Sequence, residues 1–309
     1  MLMESLFQDV KYALRAIRNA PLFAAGVAGT IGLGLGILCS AFTIVNAYLL
    51  KPIDLPNPHQ LYALSWDTAT RMRHGFRLAD VEALTSSNPV LSDVLAGAGV
   101  TVMQDGAAVP GQIVSANYFS LLGAAALGGR ILLPEDAARP GERAVVVLSH
   151  AGWQSRFGAD PEIVGKEVAL GRLRYRVVGV MPSGFVLPGN ESVVFWAPLT
   201  MARDFAIPDP WTVPDASSMF VIGRLRDEAT AAQTRAWFDT WVRQRFPAGT
   251  DAAPVAVRVE SRATRIPVTR TTATLFSLIV LAFGLVLLVA CANVASITTA
   301  APIRYGAEL

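Results

Sequence analysis

The stretch LFAAGVAGTIGLGLGILCSAFTIVNAYLL, residues 22–50, decides the fold of this 309-residue chain. It contains no Asp, Glu, Lys, Arg or His, and neither does a second stretch at 271–303. About 20 apolar residues in an α-helix cross a hydrocarbon core of about 30 Å. We therefore predict transmembrane helices at about 22–48 and 273–300. The alternative is a helix buried in a soluble core, but one of this length would carry a polar face.

The first 20 residues predict an amphipathic helix. Lys11, Arg15 and Arg18 lie beside an apolar face whose residues are spaced by three and four. A basic helix of this kind, joined to a transmembrane helix, is typical of the cytoplasmic headgroup layer, although a plain solvated leader is the alternative. A signal peptide would have an apolar stretch about half as long, so we expect the first helix to be retained as an anchor.

Orientation follows from these basic residues. A cytoplasmic N-terminus places residues 51–270 outside the cytoplasm, in the periplasm or its equivalent, and the short end 304–309 inside. Four arginines that precede the second helix oppose this orientation, namely Arg258, Arg262, Arg265 and Arg270. Long loops translocate largely regardless of charge, so we expect the N-terminal signal to prevail and the protein to lie in the cell inner membrane.

Composition excludes one class of partner. The whole chain has 26 basic and 24 acidic residues, and its net charge is only +2. Segment 51–270 contains 22 of the basic and 21 of the acidic residues, so no part of it is strongly basic. We therefore expect a lipid bilayer as the chain's surroundings and no nucleic acid partner.

Small residues repeat every four positions along the first apolar stretch. They are Ala24, Ala28, Gly32, Gly36 and Ser40, called the small-residue stripe below, and Gly284 lies in the second stretch. In lipid, small residues let helix backbones approach closely. We predict that Ala28, Gly32, Gly36, Ser40 and Gly284 pack against another helix. Neither predicted span contains an ionisable residue of the kind that forms a proton relay or a charged substrate path.

The middle of the chain alternates between strand and helix patterns, which predicts an α+β domain in two subdomains. The Pro-rich stretch Pro208–Pro214 would be a linker or lid. Helices are predicted at 78–86 and 229–246, at 115–123 with Ser115 as its cap, and from a Ser149 cap to Gly158. Strands are predicted at 61–66, 94–103, 109–114, 144–148, 166–170, 174–181, 193–198, 219–225 and 255–260.

We find no catalytic or metal-binding motif in the sequence. The three histidines have no His-Glu-x-x-His spacing, and Ser149-His150 is not a Gly-x-Ser-x-Gly elbow. No phosphate-binding Gly-x-x-x-x-Gly-Lys-[Ser/Thr] loop occurs. Cys39 and Cys291 lie at different depths of the predicted spans, so a disulfide between them is not expected. We expect no metal, no cofactor and no enzyme activity in this chain.

Several stretches occur in the order typical of one known family. They are IVSANYFSLLG at 113–123, ALGGR at 126–130, PED at 134–136, VVVLSH at 145–150, WQSRFG at 153–158 and YRVVGVMPSGF at 175–185. Together they resemble the MacB-like periplasmic core domain, found in permeases of the macrolide-exporter and FtsX-like type. Residues 10–21 and 287–295 are similar to the leader and second membrane helix of these permeases.

The resemblance implies a permease subunit of an ABC-type efflux or mechanotransmission transporter. A separate ATPase subunit would hydrolyse ATP, and a homodimer or paired permease would relay the motion to the outer domain. Such permeases continue after their second membrane helix into a basic segment and two further helices. This sequence instead reads SITTAAPIRYGAEL at 296–309, so we expect a truncated or split permease.

Two other functions are compatible with two membrane helices around one domain. One is a two-pass membrane sensor or binding protein with an extracytoplasmic ligand domain, which would need a cytoplasmic output domain. The other is an anchored extracytoplasmic enzyme, which the lack of a catalytic motif disfavours. Two further apolar runs encoded beyond Leu309 would favour the permease over both.

Overall fold

The computed structural model describes residues 21–86, 88–104, 106–171, 173–185, 192–205, 219–264, 266 and 270–300. The predicted amphipathic segment 1–20, the Pro208–Pro214 stretch and the end 304–309 lie outside these ranges. Contacts divide the chain into two compact units. The membrane unit holds the two apolar helices, and the outer domain is Lys51–Pro267.

The described ranges contain six α-helices and ten strands. The helices are α1 Pro21–Val45, α2 Leu78–Ser86, α3 Tyr118–Leu121, α4 His150–Phe157, α5 Ala231–Arg245 and α6 Arg270–Ala300. The strands are β1 Leu61–Asp67, β2 Leu91–Gln104, β3 Ala107–Val114, β4 Gly128–Gly129, β5 Val145–Leu148, β6 Glu167–Leu170, β7 Leu173–Val180, β8 Phe195–Pro198, β9 Phe220–Leu225 and β10 Ala256–Ser261.

Both predicted apolar helices are present in the membrane unit. Helix α1 continues into a π-helical turn at Asn46–Leu50, and Ala28–Leu50 is long and apolar enough to cross a bilayer. Within α6, Thr272–Val289 is also long and apolar enough to cross a bilayer. Cys39 and Cys291 are both free thiols, as expected.

All ten strands of the outer domain belong to one mixed sheet. Its order is β10-β1-β9-β2-β3-β8-β5-β7-β4, and β6 also pairs with β7. The β3–β8 and β5–β7 pairs are parallel, and the other pairs are antiparallel. The sheet is continuous, and the predicted division of the domain into two subdomains stays a prediction.

Alternation along each strand divides the hydrophobic core between the two faces of the sheet. Val146 and Leu148 of β5 belong to a cluster with Phe238 of α5, whereas Val145 and Val147 point into a cluster on the opposite face. Successive side chains of a strand point to opposite faces, so a strand buried on both sides is apolar at every position. The predicted α+β fold is confirmed.

Local predictions at helix ends were mostly confirmed. Ser149 Oγ accepts a hydrogen bond from the Gly152 amide at 3.0 Å, and Gly158 ends α4 in the left-handed region at φ 62°. The prediction that Ser115 caps α3 is wrong, because α3 begins only at Tyr118. The Ser115 hydroxyl instead donates to Asn117 Oδ1 and accepts from the Ala96 amide of β2.

Candidate functional site: the helix pair and its connectors

The two helices of the membrane unit pack against each other along a regular seam. On α1 the less exposed residues are Ile31, Gly34, Leu38, Ala41 and Val45, at alternating spacings of three and four. The helices approach closely at Gly34, where an added β-carbon would lie 3.2 Å from Leu287 Cδ1. An average spacing of 3.5 keeps a contact line facing one neighbouring helix, as in coiled coils. The seam therefore aligns the pair along its length.

The predicted small-residue stripe does not form this seam. Ala28, Gly32, Gly36 and Ser40 are exposed, and a β-carbon added at Gly32, Gly36 or Gly284 would meet no atom within 4 Å. A repeat of four residues advances by about 400°, so the stripe winds around the helix and away from a neighbour that follows the 3.5 repeat. Between the two helices of this chain, Gly34 lies in the contact and the predicted packing glycines do not.

The stripe instead forms one wall of an apolar groove. Gly32, Gly36 and Ser40 face Phe276 and Phe283 of α6 across a space of about 540 Å³. Packing of the stripe against a helix of another chain stays a prediction.

Replacing Gly34 with leucine is expected to destabilise the helix pair by about 1–3 kcal/mol, because the new side chain must displace Leu287. Gly29→Leu is the matched control, since it adds the same side chain outside the stripe, where the helix pair leaves open space. The measurement is the thermal unfolding midpoint of the detergent-solubilised chain. Equal midpoints for the two variants would contradict the seam.

Two short segments join the outer domain to the membrane helices, and they are bonded to each other. We call residues 51–57 and 262–264 the paired connectors. Pro52 and Thr264 form an antiparallel bridge, and the Ile53 amide donates to the Ala263 carbonyl at 2.8 Å. Ile53 and Ala263 are both buried. The segments that enter and leave the outer domain therefore meet before either reaches a helix.

The strands that follow the connectors are also neighbours. Strands β1 and β10 pair along their whole length, and Arg258 of β10 donates to both carboxylate oxygens of Asp67 on β1 at 2.6–3.0 Å. The hydrogen bond from Arg258 holds the pKa of the Asp67 carboxyl below its usual range. Arg73 forms a second ion pair with Glu260 of β10 at 3.0 Å. This edge of the sheet is thus cross-linked by hydrogen bonds and charge.

Arg224 of β9 fastens the first connector to the rest of the sheet. Its guanidinium donates to the carbonyls of Pro56 and Asn57 at 3.2 and 3.3 Å and to that of Leu121 at 2.7 Å. Burial lowers the pKa of Arg224, and an arginine still keeps its charge at neutral pH. Gly123 lies against the same connector, where a β-carbon would approach Pro56 Cγ to 2.6 Å.

Sequence reasoning did not find the connector residues. Pro52, Ile53, Ala263 and Thr264 carry no motif, and their pairing depends on contacts between residues more than 200 positions apart. The signal that was available is positional, because the first and last strands of a domain often leave from one edge. In the described ranges no group of three or more His, Cys, Asp or Glu could hold a metal ion.

These features define a class of protein: a mixed α/β outer domain whose two ends lead into a pair of apolar, membrane-crossing helices. A family model described as the MacB-like periplasmic core domain matches residues 25–241. The chain belongs to this family, as the stretches between 113 and 185 suggested. It is a membrane protein with an extracytoplasmic segment, in a family of ABC-type transporter permeases that in general implies an ATPase partner.

Two solved structures are similar to this chain. The periplasmic region of MacB from Actinobacillus actinomycetemcomitans matches with a TM-score of 0.51 at 12% identity, over 72% of this chain and 94% of that one. The extracellular domain of the noncanonic ABC-type transporter YknZ from Gram-positive bacteria gives a TM-score of 0.48 at 14% identity, over 64% and 98%. No curated protein sequence matches the chain.

Proposed function

We propose that the chain is a permease subunit that relays the motion of an ATPase partner to its outer domain, in an efflux or mechanotransmission transporter of the cell inner membrane. The partner binds and hydrolyses ATP, and this chain is not itself an enzyme. The observation that carries the proposal is the pair of connectors, whose Ile53–Ala263 hydrogen bond joins the two routes into the outer domain.

The physical reason is mechanical. Parts that transmit motion need stiff elements. Within the membrane unit the helix pair has a regular seam, and within the outer domain the connectors are bonded to each other. Neither span contains an ionisable residue, so they offer no polar path for a charged substrate. Movement of the helices reaches β1 and β10 together, since the connectors cannot separate without losing the Pro52–Thr264 bridge.

A flexible insertion tests the relay. Insertion of the four residues Gly-Ser-Gly-Ser between Leu50 and Lys51 is expected to abolish the ATP-driven movement of the outer domain, because a flexible linker does not transmit force. The partner's ATP hydrolysis is expected to continue. The measurement is the distance between spin labels at Ala236→Cys in the two copies of the assembly, with and without ATP, after Cys39 and Cys291 are replaced by alanine. Ala236 is exposed on α5 and suits a label.

The same insertion after Gly106 is the matched control, because that residue lies in the exposed turn between β2 and β3. This control should keep the full ATP-dependent change in distance. A full change in the Leu50 variant as well would refute a relay through the connectors.

We further propose that two permease copies pair through the small-residue stripe, which stays uncovered within one chain at Gly32 and Gly36. Leucine variants of Gly34 and Gly36 then separate two interfaces. Gly36→Leu is expected to shift the solubilised protein from dimer to monomer, and Gly34→Leu to weaken the helix pair within each copy. A dimer that survives Gly36→Leu would exclude the stripe as the interface.

A further inference from the structure

An open cleft of about 600 Å³ lies on the outer domain where β5 and β7 run parallel. The ionisable side chains that line it are those of Arg130, Arg143, Arg176 and Asp136. We call it the arginine cleft. Nothing in the helix pair or the connectors uses these residues, and four of the family-like stretches, at 126–130, 134–136, 145–150 and 175–185, meet here.

One arginine and the carboxylate neutralise each other. Arg130 donates to the two oxygens of Asp136 at 2.5 and 2.9 Å, and the Leu133 amide donates to the same carboxylate at 2.9 Å. Burial of Asp136 would raise its pKa, but the hydrogen bonds from Arg130 and Leu133 outweigh burial and lower it. This pair is ionised at neutral pH and contributes no net charge to the cleft.

The other two arginines are neutralised less completely than Arg130. The nearest carboxylate oxygens to Arg143 Nη1 belong to Glu135 and Asp136, at 3.6 and 3.8 Å, which is beyond hydrogen-bond distance. Arg176 donates through Nε to the Gly165 carbonyl at 3.3 Å. In the described residues Arg176 has no ion pair, although Glu167 lies opposite it in the β6–β7 register.

The residues that line the cleft carry three guanidiniums and one carboxylate, a net charge of +2 that the nearby Glu135 carboxylate partly offsets, whereas all of segment 51–270 has a net charge of only +1. Beside the charge lies an apolar wall. Val145 and Val178 form buried parts of it, and Val164 is 40% exposed at its rim. Ligand sites commonly combine a volume of 300–1,000 Å³, apolar walls and a few charged groups in this way.

We propose that the arginine cleft binds an oxyanion, a carboxylate or phosphate, attached to an apolar body. Guanidinium groups bind such oxyanions through paired N–H donors, which is the role assigned to Arg143 and Arg176. Val164 and Val178 would contact the apolar body. The proposal does not depend on the permease function, since it concerns binding by the outer domain alone.

The test is a calorimetric titration of the full chain in uncharged detergent with hexanoate, hexyl phosphate, inorganic phosphate and hexanol. Saturable binding of hexanoate or hexyl phosphate below about 10 mM is expected, and whichever binds more tightly identifies the oxyanion. Hexanol should not bind. Inorganic phosphate binding as tightly as hexyl phosphate, or no saturable binding of either amphiphile, would overturn the proposal.

Variants locate the binding. Arg143→Gln and Arg176→Gln are each expected to weaken binding about tenfold, because each removes a charged donor. Arg174→Gln is the matched control: it removes the same charge from an exposed residue of β7 that does not line the cleft. It should stay within about twofold of the natural chain. Equal losses in Arg174→Gln and Arg176→Gln would show nonspecific attraction and refute the site, provided that all variants keep the unfolding midpoint of the natural chain.

Discussion

Replacing Asp80 with alanine is expected to lower the free energy of unfolding of the outer domain by about 3 kcal/mol. The carboxylate is fully buried and accepts hydrogen bonds from Arg77 at 3.0 and 3.1 Å and from Arg245. It joins the first turn of α2 to the last turn of α5, where helix dipoles favour an acid and a base respectively. In the variant, the guanidiniums of Arg77 and Arg245 lose their shared carboxylate. Both are partly buried, so water compensates the lost ion pairs poorly.

The measurement is urea unfolding of the full chain in detergent, followed by tryptophan fluorescence. Asp239→Ala provides the control, since Asp239 pairs with Arg243 on the exposed side of α5 at 2.9 Å. Exposed pairs of this kind contribute little, so the control should change stability far less than Asp80→Ala. Similar losses in the two variants would show that burial does not distinguish these pairs.

The Asp80 carboxylate should also make the free energy of unfolding depend on pH in the acid range. Burial of Asp80 would raise its pKa, but the hydrogen bonds from Arg77 and Arg245 outweigh burial and lower the pKa below its usual range. A folded-state pKa below the unfolded one contributes stability that is present above about pH 4 and is lost as the pH falls through the folded pKa. Between pH 7 and pH 3, the natural chain should therefore lose more stability than Asp80→Asn, and parallel pH profiles would contradict this.

Replacing Gly179 with alanine is also expected to cost about 3 kcal/mol. A β-carbon there would lie 2.1 Å from the Arg130 carbonyl oxygen and 3.1 Å from the Arg130 amide nitrogen. Both neighbours are backbone atoms of the segment that follows β4, so no side-chain rotation can relieve the clash. The segment must move, and Arg130 and the arginine cleft with it. Urea unfolding measures the stability, and titration with hexyl phosphate measures the cleft.

Gly99→Ala is the matched control for Gly179→Ala. Gly99 is also a strand glycine, but a β-carbon there would meet no atom within 4 Å. Alanine in a strand avoids part of the entropy cost of glycine, so this variant should be neutral or stabilised by up to about 1 kcal/mol. A loss comparable to that of Gly179→Ala would mean that the close approach to Arg130 is not the cause.

The sequence predicted those parts of the fold that depend on neighbours along the chain. The α4 helix illustrates this, because its Ser149 cap and its left-handed Gly158 act within three residues of the helix ends. The hairpin between β6 and β7 is similar, since Gly171 marks the turn and the flanking strands alternate. The long apolar stretches are local signals as well, because lipid requires a run of apolar residues.

What the sequence did not predict depends on contacts between distant segments. Strand β9 lies between β1 and β2, far from both in sequence, and no local pattern specifies that order. Gly34 was missed for a related reason. Small residues spaced by four are conspicuous in α1, but the position of its neighbour α6 determines which glycine lies in the seam.

The arginine cleft was missed because its members are separated along the chain. Arg130, Arg143 and Arg176 come from three different segments, and each reads as an ordinary surface arginine in its own context. A usable signal was present at Gly129 and Gly179. A glycine with φ 74° and a strand glycine under a backbone carbonyl mark a place where two segments cross closely and bring charged side chains together.

The bridge between Pro52 and Thr264 places the two ends of the outer domain about 5 Å apart. A domain with adjacent ends can be inserted into a host helical hairpin without stretching it, since the host sees only a short gap. The outer domain can therefore be exchanged as a unit between related membrane proteins. Transplanting residues 51–267 between related permeases should carry its binding properties into a foreign membrane scaffold.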